Sequence, residues 1–299
     1  MQFQEISLAE KELFTYYLAG RQHRLNTYNF NNFFLWRDWD PYRFALVEDA
    51  ICIKSDFHGW DAVLAPFSPD NQAVLKATER LIEWYHSSNK PFLMTEVSAE
   101  MRDFYEHHYP GRFLITPYRS GFNYIYRQQD LVELSGKKYA AKRNHIRRFI
   151  RENPNYRFVP LTEEWIAGCR ERELEWMQTH EVDDDLRQEH RGVIYALENF
   201  AKLGCVGACL VVNDRVEAFT IGEALNDDTF VIHIEKGNIN LNGTYQMINR
   251  LFAEQYCQGY TYINRAEDMG HPGQRKAKLS YYPAFLEKKY HLRLLSLKD

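Results

Sequence analysis

The chain has 299 residues, 45% of them hydrophobic and 26% charged, with a formal net charge of −4. That length is more than one hydrophobic core usually organises, and the composition is that of folded chains, so two domains are expected and global disorder is excluded. No run of about eighteen apolar residues occurs, which excludes a membrane-spanning helix, and the net acidity argues against broad nucleic-acid affinity.

Residues 1–11 carry polar and acidic side chains where a signal peptide needs a basic start and an apolar stretch, so a cytoplasmic location is expected. The cysteines Cys52, Cys169, Cys205, Cys209 and Cys257 are odd in number and read as reduced thiols. Cys205 and Cys209 lack the further Cys or His pair of a zinc site. No metal site is expected.

The first half alternates short apolar strands with helical patterns. Val74, Leu75, Thr78, Leu81, Ile82 and Tyr85 recur at helical spacing after the start signal Ser68-Pro69-Asp70. Residues 92–97 read as a strand, Ser98 as the cap of a short helix, and 113–116 and 122–126 as further strands. This mixed order predicts an α/β fold.

A long helix is predicted over 136–153, stopped by Pro154, whose apolar positions Tyr139, Ile146, Phe149 and Ile150 leave a wide basic face. The domain boundary is placed just before it, giving domains 1–130 and 131–299. Arg143, Arg147 and Arg151 are four apart, as are Lys138 and Lys142, and such stripes can track phosphates. The alternative is a solvated face pairing with the acidic stretch 163–189. Thr162 opens a second helix and a third ends at Gly204.

From Val206 the pattern turns to strands: 206–212, a hairpin turn at Asn213-Asp214, 216–224 and 230–235. A helix containing Met247, Ile248, Leu251, Phe252 and Tyr256 follows, then a strand at 260–264. An antiparallel run feeding a strand, loop, helix and strand is the order of a GNAT core.

Candidate chemistry gathers in this half. Under two-residue alternation, His233 and Glu235 share one strand face, and a carboxylate beside an imidazole suits proton removal from an amine. An ion pair between Glu235 and a nearby Lys or Arg is the other reading. The helix start at Asn242-Gly243-Thr244-Tyr245 offers backbone N–H groups and a glycine that permits close approach of an anion, a fit for donor phosphate. Arg275, Lys276 and Lys278 are further anion contacts, Arg275 and Lys278 sharing a helix face.

Several of these segments form a set: His233-Ile234-Glu235-Lys236, Gly243-Thr244-Tyr245-Gln246-x-Ile248-Asn249, Asn264-Arg265-x-Glu267-Asp268-x-Gly270, and Arg275-Lys276-Ala277-Lys278-Leu279-Ser280-Tyr281-x-Pro283. With Tyr124-Ile125-Tyr126 and Leu134-Ser135-Gly136-Lys137-Lys138-Tyr139 upstream, the sequence resembles the soluble branch of the phosphatidylglycerol lysyltransferase C-terminal-domain family. The resemblance implies two tandem GNAT-like domains, mixed sheets flanked by helices, and acyl or aminoacyl transfer to an amine or hydroxyl acceptor. Aminoacyl-tRNA or acyl-CoA is then the donor substrate, with no tightly bound cofactor. Glu235 becomes the candidate base with His233 next in line, and Tyr281 the group that protonates the leaving atom. Asn242, Gly243, Thr244, Tyr245, Arg275, Lys276 and Lys278 become donor contacts. A non-catalytic GNAT-like module, holding RNA or another anion through Lys138, Lys142, Arg143 and Arg147, is the rival expectation.

Overall fold

In the computed structural model, residues 1–18, 22–39, 41–56, 59, 61–179 and 183–295 are described. They form two α/β units, each built on a seven-stranded mixed sheet.

The first unit holds β1 (Gln4–Glu5), α1 (Lys11–Leu18), α2 (Phe30–Leu35), β2 (Arg43–Val47), β3 (Ala50–Ser55) and β4 (Ala62–Leu64). It continues with α3 (Asn71–Ser87), β5 (Leu93–Ser98), α4 (Ala99–His108) and β6 (Phe113–Pro117). Asp70 starts α3 by accepting from the backbone of Gln72, and Ser98 starts α4 by accepting from Met101, as their sequence positions predict. β4 and β5 run parallel, so the chain must cross over between them, and α3 is that crossover. Its apolar face, Val74, Ala77, Leu81 and Tyr85, packs into a core with Val63, Met94, Tyr105 and Leu292.

The second unit contains β7 (Asn123–Arg127), α5 (Gln128–Glu133), α6 (Ala140–Glu152), β8 (Arg157–Pro160), α7 (Glu163–Gln178), α8 (Asp184–Glu198) and α9 (Phe200–Leu203). After these come β9 (Val206–Val212), β10 (Arg215–Ala224), β11 (Thr229–Gly237), α10 (Thr244–Tyr256), β12 (Tyr262–Asn264), α11 (Pro272–Leu279) and β13 (Phe285–Glu287), and the chain ends on β14 (Lys289–Leu294). The β9–β10 turn has positive φ at both Asn213 and Asp214, the geometry that continues the right-handed strand twist. Antiparallel β9, β10 and β11 lead through α10 to β12, which lies parallel to β11. That is the expected GNAT-like order.

The single cut expected at residue 130 is corrected by the strand pairing. The sheet orders are β1-β2-β3-β4-β5-β14-β6 and β13-β7-β12-β11-β10-β9-β8. β7, assigned by position to the first half, pairs with β12 through Tyr126↔Ile263, so the second unit begins at Tyr124. β14, at the far end of the chain, bonds to both β5 and β6 and belongs to the first unit, as does the loop Glu267–Pro272. Backbone pairing partners are chosen by the sheet and not by proximity in sequence.

Candidate functional site

Glu235 lies on β11 opposite Thr220 of β10. Of its two readings the ion pair forms: Arg265 donates from Nη2 to Oε1 at 2.7 Å, and Asn249 of α10 donates from Nδ2 to Oε2 at 3.0 Å. Arg265 follows directly on β12, and its backbone is fixed from both sides. Its N–H donates to the Tyr124 carbonyl at 3.0 Å, while its own carbonyl accepts from Lys278 Nζ. Tyr281 comes just after α11, where Tyr139 Oη donates to its carbonyl at 2.9 Å. The Arg265 guanidinium carbon lies 4.9 Å from the Tyr281 ring centre and 5.7 Å from that of Tyr126.

Three polar atoms of this cluster are buried without a hydrogen-bond partner: Arg265 Nη1, Tyr281 Oη and Asn249 Oδ1. Leaving such atoms dry is costly, so each is a place where a ligand atom would be stabilised. Burial pushes the Tyr281 phenol up; Arg265 opposes that and Glu235 adds to it. The phenol is therefore a proton donor at neutral pH. Burial also works against the Arg265 charge, but Glu235, Tyr126 and Tyr281 outweigh it and the group stays cationic.

Lys142, expected on a solvated basic stripe, turns inward. Its Nζ donates to Ser280 Oγ at 2.7 Å and lies 4.0 Å from the Tyr281 ring centre. Burial, reinforced by the Arg265 charge, pulls its amine down to about 8. Arg143 is also committed internally, donating to the Leu134 and Gly136 carbonyls. Lys138 lies over the Tyr139 and Tyr282 rings, and Arg147 is exposed. The four-residue stripe is thus corrected to two outward cations, because one side of α6 packs against the segment after α11.

His233 pairs with Glu223 of β10, Nε2 to Oε1 at 2.7 Å. On the other face of β11, Lys236 Nζ lies 2.8 Å from Glu189, 3.7 Å from Glu173 and 3.2 Å from the Trp176 ring centre. Tyr245 joins this second cluster, its hydroxyl accepting from Trp176 Nε1 at 2.9 Å.

At the α10 start, where a donor phosphate is expected, Gly243 packs against α6. Gly243 has φ +87, and a Cβ there would stand 2.4 Å from the His145 carbonyl and 2.9 Å from Phe149 Cβ. The close approach that glycine permits is made by α6. Thr244 donates backbone N–H and hydroxyl to the Leu241 carbonyl, and Asn242 Oδ1 lies 2.9 Å from His145 Nδ1. Gly243 and Thr244 are buried, so this helix start is a packing joint. Arg275 is half-buried and Lys276 exposed on α11. Glu267 and Asp268 of the quoted motif serve the first unit, where Asn123 donates to Glu267 and Arg119 to Asp268.

No individual role follows from the sequence for Arg265, Asn249, Glu173 or Lys236. Asn249 carried a usable signal, a lone amide on the apolar stripe between Ile248 and Phe252. Arg265 carried another, a cation at the exit of a buried strand.

Among the described residues no helix is long and apolar enough to cross a membrane. A Bacteroides thetaiotaomicron protein of unknown function is 37% identical with a TM-score of 0.90, the alignment covering 99% of this chain and 100% of that one. The L-PGS of Bacillus licheniformis superposes at TM-score 0.65 and 16% identity, covering 99% and 95%. A domain named as the C-terminal domain of a lysylphosphatidylglycerol synthetase from Agrobacterium fabrum does so at 0.66 and 12%, covering 98% and 94%. At these identities the last two show the fold. An uncharacterized Mycoplasmoides gallisepticum protein is 24% identical over 182 residues, 60% of this chain, and the match spans 58% of that relative's length. Residues 19–293 match the family described as phosphatidylglycerol lysyltransferase, C-terminal, and the chain belongs to that family.

Proposed function

We propose that this chain transfers an acyl or aminoacyl group from an activated donor, aminoacyl-tRNA or acyl-CoA, to an amine or hydroxyl acceptor. The observation that carries this reading is the Glu235-Arg265-Asn249-Tyr281 cluster with its three buried, unpartnered polar atoms. When an acceptor attacks a carbonyl carbon, negative charge develops on the carbonyl oxygen, and donors already in place there lower the barrier. Arg265 Nη1 and the Tyr281 hydroxyl are such donors. Glu235 holds Arg265 in position, and Tyr281, kept protonated, is suited to hand its proton to the departing oxygen or sulfur and to recover one from the attacking amine or hydroxyl, so that the transfer leaves it unchanged. Asn249 Oδ1 is an acceptor that an α-ammonium group would satisfy, which favours an aminoacyl donor. Arg275 and Lys276 on α11 supply cationic contacts for donor phosphate.

The test is to incubate the purified protein with labelled aminoacyl-tRNA and acyl-CoA donors and a panel of amine and hydroxyl acceptors. Transfer from one donor class is expected. Tyr281→Phe, with an unchanged melting curve, is expected to slow it by about 10²-fold or more. No transfer from either class, or full turnover in Tyr281→Phe, overturns the reading.

A further inference from the structure

The inward-facing lysines of this protein fall into two kinds. Lys236 is held against Glu189 and Glu173, and Lys289 against Glu96 with Glu267 3.9 Å away, so each buried ammonium is balanced by carboxylates. Lys142 differs. Among the described residues its contacts are the Ser280 hydroxyl and the Tyr281 ring face, and the charge that acts on it is the like charge of Arg265.

The charge count in this corner is therefore uneven. Lys142, Arg265 and Lys278, whose Nζ donates to the Arg265 carbonyl, contribute positive charge, and Glu235, bonded to Arg265, contributes one negative. Two like charges in a partly desolvated place repel, and a structure that keeps them there gains from an anion that answers both. The donors for such an anion are in place and come from three separate elements. They are Lys142 Nζ on α6, the unpartnered Arg265 Nη1 after β12, and the unpartnered Tyr281 Oη after α11, with 94% of Tyr281 buried.

We propose that Lys142, Arg265 and Tyr281 form a binding site for one singly charged oxygen anion, a carboxylate or a phosphate. The inference deepens the transfer reading, since it rests on the same cluster being the reacting site. A carboxylate there would be the free acid matching the transferred group, one of its oxygens standing where the reacting carbonyl oxygen would, whereas a phosphate would come from the donor and take Arg265 and Tyr281 out of the carbonyl-facing role. Lys142 must carry its proton to bind an anion. The groups facing it are Arg265, from the segment after β12, and Tyr281 and Ser280, from the segment after α11, with Lys138 in the short 3-10 turn Lys137–Tyr139 that precedes α6. Affinity should therefore be present below about 8 and fall as pH rises through that value, by roughly tenfold per unit once Lys142 is neutral.

The experiment is calorimetric titration of the full chain with sodium acetate, with dimethyl phosphate, which carries one charge at both pH values, and with chloride, at matched ionic strength, at pH 7 and at about pH 9.5. Acetate or dimethyl phosphate is expected to bind more tightly than chloride at pH 7 and at least about tenfold more weakly at the higher pH. The preferred anion distinguishes the carboxylate source from the phosphate source. Lys142→Met should weaken binding about tenfold or more at pH 7, and Lys142→Arg should retain it at both pH values, because a guanidinium keeps its proton. Undetectable binding of acetate and dimethyl phosphate overturns the site. So does equal affinity in Lys142→Met, or a loss with pH that persists in Lys142→Arg. Anion binding without transfer from any donor sinks the transferase reading and leaves the site standing. Transfer without anion binding does the reverse.

Discussion

Arg265 and Glu235 form an ion pair whose side chains are only 15% and 11% exposed, joined at 2.7 Å and flanked by the Asn249 amide. A carboxylate so engaged is better placed to hold a guanidinium than to take a proton. The pair also explains why Arg265 has one bonded and one unpartnered nitrogen. Glu235 fixes the first and so directs the second.

Glu235→Gln is consequently expected to act through Arg265. The amide keeps a hydrogen-bond acceptor but removes the charge, so transfer should fall by about 10²-fold, the scale of losing one oriented donor. The variant should also lose stability, by about 1–3 kcal/mol, because Arg265 is left nearly buried without its counter-charge. Turnover and a denaturant curve on the same preparation check both. Full turnover would mean that Arg265 is held by other contacts.

Gly243→Val should unfold the joint between α6 and α10. The residue lies at φ +87, where a β-branched side chain is strained, and its Cβ would meet the His145 carbonyl at 2.4 Å, a backbone atom that cannot rotate away. A loss of about 2 kcal/mol or more is expected as a shift in the denaturation midpoint. Donor affinity of the remaining folded protein should be unchanged. A stable variant with weakened donor binding would restore the phosphate reading of this glycine.

Glu173 gives a pH dependence. Burial raises its carboxyl to about 7 from an ordinary 4.5, Lys236 opposing this and Glu189 adding to it. In that window the folded state holds more protons than the unfolded one, so this group's stabilising contribution is complete below about 4.5 and lost as pH rises through about 7. His190, 3.2 Å from Glu173, is shifted down by burial and by Lys236, so its contribution changes in the opposite sense as pH falls below 6.5. The discriminating quantity is the difference between wild type and Glu173→Gln in unfolding free energy at pH 5 and pH 8. The wild type should lose stability relative to the variant on going to pH 8, by at most about 1.4 kcal/mol per pH unit. A difference independent of pH would place the Glu173 carboxyl at its ordinary value.

The sequence by itself determined the local elements and the family. Asp70 and Ser98 announced α3 and α4, the Asn213-Asp214 pair announced the β9–β10 hairpin, and the stretch around Glu235 and Arg265 carried the family's pattern, because caps, turns and motifs are written in residues a few positions apart. What the tertiary structure decided was every partnership over distance. It gave β14 to the first sheet and β7 to the second, joined Glu235 to Arg265 across thirty positions, turned Lys142 from a solvent stripe onto Tyr281, and brought α6 against Gly243. Periodicity tells which face of an element is buried. It does not tell what that face is buried against, and the charge balance at Lys142 and the freedom of the Arg265 nitrogen depend on the second question alone.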